Sequence, residues 1–243
     1  MLPRTRDVRP RWTRPKSVEM SEIKAQASAT AEGPATARPL LWARLASLVS
    51  VLPLGVWTVN HLWDNLAAFQ GPEAWQRAVT EHPHPIAHAG TLVIVFAPLL
   101  LHTVWGIQRL REGRPNLVRY DTFANLRYVL QRIAAGGVLF FIGAHVWLAM
   151  LRPRLLEGRA EPFEAISREM HHHGPTLVVY LLGTLGVAYH LANGLSSFAW
   201  QWGLVGSRGG LRRFDVFTWT TFAVLLFMSW AAIYALWKAG AAL

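Results

Sequence analysis

The 243-residue sequence contains no cysteine, and only 16% of its residues are charged. Without cysteine the chain can form no disulfide, no thiolate zinc site and no iron–sulfur cluster on its own ligands. The low charge, together with 52% hydrophobic residues, argues against a disordered chain. Acidic residues are also few, 14 against 24 Lys and Arg, which gives a formal net charge of +10. A charge of this sign is typical of a nucleic-acid-binding protein or of a membrane protein with basic cytoplasmic loops.

The first 39 residues differ from the rest of the chain. They contain 8 basic and 4 acidic residues among many Pro, Ala, Ser and Thr, with no long apolar run. This composition predicts a disordered basic tail over residues 1–39, followed by a single domain over residues 40–243. The tail lacks the hydrophobic middle region of a secretory signal peptide.

Five long apolar segments follow the tail. They cover approximately residues 40–63, 86–110, 125–151, 175–202 and 216–237. At about 1.5 Å per residue, a helix of roughly 20 residues crosses the 30 Å hydrocarbon core of a membrane. The sequence therefore predicts an all-α fold, an integral membrane bundle of five transmembrane helices.

The basic residues are distributed unevenly between the two sides of this bundle. The tail and the loops at 109–127 and 203–213 hold 16 Lys and Arg, whereas the opposite side holds 6. Such a bias predicts that the N-terminus lies in the cytoplasm and the C-terminus outside. Because the charges flank apolar spans, we expect contact with membrane lipid and no nucleic-acid partner.

Four histidines lie within apolar segments, one in each of the first four: His61, His102, His145 and His190. A histidine inside the hydrocarbon is costly and usually marks a functional site. From their positions along alternating helices, we expect His61 and His145 in an outer layer and His102 and His190 in an inner layer. Two facing imidazoles at one level are the axial ligands of a six-coordinate b-type haem, so the pattern predicts two haems b. A zinc site would need further ligands at each level.

Polar residues toward the cytoplasmic ends of these helices are candidates for contacts with the propionates of the inner haem. They are Arg44, Ser47, Tyr128 and Arg132. A buried carboxylate needs hydrogen-bond donors or a cation. Two alternatives stay open: the arginines snorkel to the interface, and the histidines act as proton relays in a haem-free transporter.

Several stretches carry a family resemblance. They are Arg44-Leu-Ala-Ser47, Leu52-Pro-Leu-Gly55, Asn60-His61-Leu62, Ala97-Pro-Leu-Leu-Leu-His102-Thr-Val-Trp-Gly106, Tyr128-Val-Leu-Gln-Arg132, His145-Val-Trp147 and His190-Leu-Ala-Asn-Gly194-Leu-Ser-Ser-Phe198. Together they resemble the cytochrome b558 membrane subunit of bacterial succinate dehydrogenases and fumarate reductases. The resemblance covers about residues 40–240.

The resemblance implies a five-helix, di-haem anchor in the bacterial cytoplasmic membrane. Such a subunit binds a flavoprotein subunit that holds FAD and an iron–sulfur subunit, both on the cytoplasmic face. It exchanges electrons with a quinone, commonly menaquinone, while succinate is oxidised in a partner subunit. The family pattern gives the distal haem to His61 and His145 and the proximal haem to His102 and His190. A di-haem cytochrome of a hydrogenase or formate dehydrogenase is the alternative.

Titratable residues between the first two helices are candidates for the quinone site. They are Glu73, Glu81, His84 and His88. A quinone needs a donor for each carbonyl and a proton route to water. The alternative is a solvated loop. The sequence assigns no role to the adjacent His171, His172 and His173.

Overall fold

The computed structural model describes residues 34–81, 90–112 and 122–243. Its α-helices are Pro34–Val49, Val56–Asn65, Pro72–Trp75, Ala97–Glu112, Phe123–Val146, Arg152–Leu156, Phe163–His172, Gly174–Gln201 and Arg208–Gly240. Wider π-helical segments run over Ser50–Gly55, Gln76–Thr80, Leu92–Phe96 and Trp147–Leu151, and a 3-10 segment runs over Leu66–Gln70. Residues 1–43 and 44–243 form two units, and the packing described below belongs to the second.

Five of the helical stretches are long and apolar enough to cross a membrane. Span 1 is Leu41–Gln70, span 2 is Leu92–Glu112, span 3 is Phe123–Leu156, span 4 is Gly174–Gln201 and span 5 is Arg212–Gly240. No strand occurs in the described ranges. The predicted all-α bundle of five transmembrane helices is confirmed, and the chain is a multi-pass membrane protein.

The helices extend further than the apolar runs that predicted them. The first begins at Pro34 and the last at Arg208, and span 3 continues to Leu156. Polar residues extend these helices because each added residue completes a backbone hydrogen bond. Ser207 caps the last helix by accepting a hydrogen bond from Gly210 N at 3.1 Å. Of the tail predicted to be disordered over residues 1–39, residues 1–33 lie outside the described residues and residues 34–39 belong to the first helix; the start of the second segment at 86–89 also lies outside the described residues.

Two prolines coincide with changes in helical pitch. Pro53 lies inside the π-helical segment Ser50–Gly55, and Pro98 follows the segment Leu92–Phe96 by two residues. Proline lacks a backbone N–H and its ring clashes with the carbonyl four residues earlier, so a wider turn relieves the conflict. The distortion in span 1 begins at Ser50, whose side chain contacts a histidine of span 2.

Span 4 packs along both span 3 and span 5. Its buried face carries small residues, among them Ala188, Ala192 and Ala199. Small residues let membrane helices approach closely. Span 3 lies close against span 4 at Gly183, where a Cβ atom would overlap the ring of Phe141.

Short helices occupy two connections that the sequence presented as loops. The amphipathic helix Phe163–His172 buries Ile166 and Met170 and packs against span 5, where Gly240 lies against the backbone of Ser167. Gln76, after the short helix Pro72–Trp75, donates to Glu161 O at 3.1 Å and accepts from Phe163 N at 3.0 Å. The connection between spans 1 and 2 is thus tied to the connection between spans 3 and 4.

Candidate functional site

The four intramembrane histidines form two pairs. The ring centroids of His61 and His145 lie 5.9 Å apart with an interplanar angle of 66°. Those of His102 and His190 also lie 5.9 Å apart, with an angle of 68°. These are the pairs expected from depth along the helices, and the two share nearly the same geometry.

The pairs fit the axial positions of a haem. Two imidazoles on opposite sides of one metal have centroids about 6.4 Å apart, given metal–nitrogen bonds of roughly 2.0–2.1 Å. The observed separation of 5.9 Å is within about 0.5 Å of this figure. Among the described residues there is no group of three or more His, Cys, Asp or Glu that could hold a metal ion. A two-nitrogen donor set suits haem, because the porphyrin supplies the remaining ligands, and does not suit a four-coordinate zinc.

At the inner pair, the position of one proton follows from the neighbouring hydroxyl. Ser50 Oγ lies 2.6 Å from His102 Nδ1 and donates its own proton to Ala46 O at 2.7 Å. Its oxygen is therefore free to accept the Nδ1–H of His102. This leaves Nε2 of His102 unprotonated, which is the state a metal ligand needs.

At the outer pair, Tyr180 of span 4 supports His145 of span 3. The Tyr180 hydroxyl lies 3.1 Å from His145 Nδ1 and can accept its proton, which would leave Nε2 for a metal. Phe141 stacks on the other side of His145, with centroids 5.6 Å apart. The buried Tyr180 and Phe141 are themselves in edge-to-face contact at 5.5 Å. The orientation of His145 thus depends on how closely spans 3 and 4 pack.

His61 is contacted by residues of its own helix, one of which is hydrogen-bonded to the connection that follows span 1. The indole of Trp57 stacks on its ring at 4.6 Å with an angle of 8°. Asn65 Nδ2 donates to His61 O at 2.8 Å and lies 3.4 Å from its Nε2. Asn65 Oδ1 in turn accepts from Trp75 Nε1 at 3.2 Å. The short helix Pro72–Trp75 therefore restrains the outer pair.

At His190 an amide nitrogen lies beside Nδ1, whereas at His61 the amide nitrogen of Asn65 lies beside Nε2. Gln131 Nε2 lies 3.1 Å from His190 Nδ1 and donates to His190 O at 3.1 Å. Gln131 belongs to a longer chain of hydrogen bonds that leads to Arg127 on span 3.

Two of the four propionate candidates lie together on span 3. The guanidinium of Arg132 lies over the ring of Tyr128, 3.4 Å from its centroid. Its Nη1 donates to Tyr128 O, and its Nε is buried without a partner among the described residues. An unpaired buried donor on a cation is the environment a carboxylate needs, so Arg132 fits a haem propionate.

The other two candidates, Arg44 and Ser47, belong to span 1 and lie against the end of span 4. Arg44 Nε donates to Gln201 O at 3.0 Å, and Ser47 Oγ donates to Arg44 O at 2.7 Å. Trp202 Nε1 donates to Ser47 Oγ at 3.2 Å. These bonds join span 1 to the end of span 4.

The quinone-site candidates lie on the connection between spans 1 and 2. Glu73 and Glu81 are exposed. His84 and His88 lie outside the described residues. On the neighbouring connection, His173 Nδ1 lies 2.7 Å from Thr176 Oγ1, which donates to Glu169 Oε1 at 2.9 Å.

A carboxyl group on that neighbouring connection has an unusual proton affinity. Burial, with a smaller contribution from the Glu157 carboxylate, raises the pKa of Glu161 to about 7, against the pull of Arg152 and Arg159. Glu161 is the residue whose backbone carbonyl Gln76 contacts. The side chain can therefore bind or release a proton near neutral pH.

Sequence reasoning missed the residues that orient the histidines. They are Ser50, Asn65, Gln131, Tyr180 and Asn193. All are uncharged polar residues, and all except Asn65, which follows the first predicted segment, lie within the predicted helices. Which of them face a histidine depends on the rotation of each helix about its axis.

The chain is similar to a known respiratory subunit. It is 30% identical over 200 residues to the succinate dehydrogenase cytochrome b558 subunit of Bacillus subtilis (strain 168), a match that covers 82% of this chain and 97% of the relative. No family model matches the chain. The similarity confirms the resemblance predicted from the motifs. The chain belongs to the family of succinate dehydrogenase cytochrome b558 subunits.

Proposed function

We propose that this subunit holds two haems b and relays electrons between an iron–sulfur subunit and membrane quinone, as the anchor of a succinate dehydrogenase or fumarate reductase complex. The observation that carries the proposal is the pair of histidine sites with matching 5.9 Å separations, one between spans 1 and 3 and one between spans 2 and 4. A haem-free proton relay would not require this repeated geometry.

In this proposal His61 and His145 hold the distal haem, and His102 and His190 hold the proximal haem. Bound haem b supplies reversible one-electron chemistry between ferric and ferrous iron. Because two histidines would hold each haem, the chemistry it would supply is electron transfer rather than oxygen binding. Ser50, whose own proton goes to Ala46 O, would hold the proton of His102 on Nδ1 and leave Nε2 for the metal, and the Tyr180 hydroxyl can accept the Nδ1 proton of His145 in the same way.

The proposed orientation places the N-terminus in the cytoplasm and the C-terminus outside the bacterial cytoplasmic membrane. The 16:6 distribution of basic residues supports it. The proximal pair then lies toward the cytoplasmic face, where a flavoprotein subunit with FAD and an iron–sulfur subunit would dock. The distal pair lies toward the outer face, where quinone, most simply menaquinone, would exchange electrons. Reporter fusions would test the orientation. A fusion after residue 112 should report the cytoplasm and a fusion after residue 158 the outside, and the reverse result would contradict it.

For the quinone site we propose Glu73 and Glu81, with His84 and His88, as groups that exchange protons with the quinone. The two glutamates follow span 1, whose outer end carries His61. Glu73→Gln and Glu81→Gln should lower quinone turnover without changing the haem spectrum, with Glu164→Gln on the neighbouring connection as a control. Unchanged turnover in both variants would exclude the two carboxylates from the site.

The central experiment is a set of four variants, His61→Ala, His102→Ala, His145→Ala and His190→Ala, in the assembled complex. Reduced-minus-oxidised spectra and haem-to-protein ratios would be measured for each. We expect the His61 and His145 variants to lose one spectral component and the His102 and His190 variants to lose the other.

The exposed His172 provides a matched control, and His172→Ala should keep both components. Losses that cross between the pairs would contradict the assignment of ligands. Unchanged spectra in all four variants, or a wild-type complex without haem b in a pyridine haemochrome assay, would contradict haem binding. Co-purification with the partner subunits shows whether a variant has assembled.

A further inference from the structure

His173 belongs to a short hydrogen-bonded chain on the side of the outer histidine pair. Its Nδ1 lies 2.7 Å from Thr176 Oγ1 and 3.2 Å from Glu169 Oε1. The Thr176 hydroxyl donates to the same Glu169 oxygen at 2.9 Å. The three side chains join the helix Phe163–His172 to the start of span 4, and neither the haem sites nor the proposed quinone contacts use them.

The exposure of the three groups differs along the chain. The side chain of His173 is 56% exposed and that of Glu169 is 36% exposed, whereas Thr176 is only 6% exposed. An imidazole exchanges protons with water near neutral pH, which an ordinary carboxylate does much less readily. His173 is therefore the group through which this chain meets the protons of the solvent.

Thr176 can pass a proton between the other two groups. Its own hydroxyl proton goes to Glu169, so its oxygen is free to accept the Nδ1–H of His173. When both protons move one place toward Glu169, the carboxylate becomes a carboxylic acid. Both hydrogen bonds then persist with their directions reversed, so the transfer needs no movement of the heavy atoms.

The inner end of the chain lies next to the outer histidine pair. Tyr180 follows Thr176 by about one turn of span 4, and its hydroxyl lies 3.1 Å from His145 Nδ1. The carboxylates of Glu161 and Glu169 are both close enough to that hydroxyl to interact with it electrostatically. Burial raises the pKa of Glu161 to about 7, so this second carboxyl group can hold a proton at neutral pH.

We propose that His173, Thr176 and Glu169 form a proton relay between the water on this side of the membrane and the quinone reaction at the outer pair. The inference rests on the proposed function, because it concerns the protons of that quinone. Oxidation of one quinol to quinone gives two electrons to the complex and releases two protons. Reduction of one quinone takes up the same numbers of electrons and protons.

Each passage along the relay moves one proton. For proton uptake, water protonates His173 at Nε2. The Nδ1–H of His173 then passes to Thr176 as the Thr176 proton passes to Glu169, and a neutral imidazole remains. Glu169 releases its proton toward the quinone and becomes a carboxylate again, and exchange with water returns the exposed ring to its first tautomer. For quinol oxidation the same steps run in reverse.

The test measures turnover of a menaquinone analogue by the assembled complex, with optical spectra of the haems taken on the same preparations. The variants are His173→Ala, Thr176→Val and Glu169→Gln. Each should lower turnover at least about tenfold, because proton transfer by a positioned group contributes roughly 10²–10⁴-fold. The haem spectra should stay as in the wild type, since none of the three residues contacts a histidine of the two pairs.

Two rescue experiments separate a relay from a merely structural role. Thr176→Ser keeps the hydroxyl and should turn over at close to the wild-type rate. Added imidazole should restore turnover in His173→Ala, because it can carry protons in place of the missing side chain. His172→Ala and Glu164→Gln are the matched controls, since both residues are exposed neighbours outside the relay, and neither should change turnover.

The outcomes separate the two proposals. A wild-type complex without two haem components would overturn the proposed function. Normal haem spectra with wild-type turnover in His173→Ala or Thr176→Val would overturn the relay alone. The relay would also be overturned by an equal loss in His172→Ala, or by losses that neither Thr176→Ser nor imidazole reverses. Restored turnover in both rescue experiments, with unchanged controls, would support it.

Discussion

Gly183 is the position where a single methyl group should perturb the outer histidine pair. A Cβ atom on this residue would overlap Cγ and Cδ2 of Phe141 and approach its Cβ to 2.8 Å. Carbon atoms pack at about 3.5–4.0 Å, so the Gly183→Ala variant requires spans 3 and 4 to separate by about 1 Å, or Phe141 to leave its rotamer. Phe141 is 9% exposed and stacks on His145, which must move with it.

Overpacking of this kind costs about 1–3 kcal/mol, which corresponds to roughly 2–4 °C in melting temperature per kcal/mol for a chain of this size. We therefore expect Gly183→Ala to lower the melting temperature of the complex and to broaden or reduce the outer haem component. The inner component should persist. Differential scanning fluorimetry and reduced-minus-oxidised spectra measure the two effects.

Gly186→Ala is the matched control on the same helix. A Cβ there would meet Val138 Cγ2 at 3.4 Å, an ordinary contact. The reasoning would be refuted by a Gly183→Ala variant that melts and absorbs like wild type, or by one that loses the inner component instead.

Three further predictions concern other regions. Gly240→Ala should lower the melting temperature, because a Cβ atom would overlap Ser167 O; a wild-type melting curve would contradict the close packing. Glu161 binds its proton more tightly in the folded than in the unfolded state, since burial raises its pKa from about 4.5 to about 7. It therefore stabilises the fold below about pH 4.5, and this contribution is lost as the pH rises through 7. Glu161→Gln should flatten the fall in melting temperature between pH 5 and pH 8, and an equally steep fall would refute the assignment. Ser50→Ala removes the acceptor 2.6 Å from His102 Nδ1 and should raise the inner midpoint by about 20–60 mV, as one hydrogen bond of 0.5–1.5 kcal/mol implies; a redox titration measures it, and a lower midpoint would contradict the bond's direction.

The sequence predicted the spans well because a membrane demands long apolar helices, whose composition is visible without any tertiary information. It predicted their ends less well. Span 3 passes the end of the predicted segment at residue 151 and reaches Leu156, and the last helix starts at Arg208, because helical hydrogen bonding continues beyond the apolar runs. The helix Phe163–His172 was missed because its apolar face packs on span 5, which the local sequence does not reveal.

At the candidate site, depth along the helices was enough to place His61 beside His145 and His102 beside His190. Coordination of iron by these residues stays a prediction. The partners of the rings could not be predicted. The contact between Gln131 and His190 depends on how each helix is rotated about its axis and on the orientation of the Gln131 amide, which is hydrogen-bonded to Asn193 and through it to Arg127. The contact of Ser50 with His102 depends on a π-helical turn that apolar periodicity does not show.

The packing of the helix Phe163–His172 against span 5 has a consequence for biosynthesis. Ribosomes make this helix before span 5, yet its buried face, which includes Phe163 and Met170, packs on a surface near Gly240 that is made later. During translation the helix can already contact Trp75 and Gln76, which are made before it, but its face toward span 5 stays uncovered. Its docking on span 5 must therefore follow the insertion of that span.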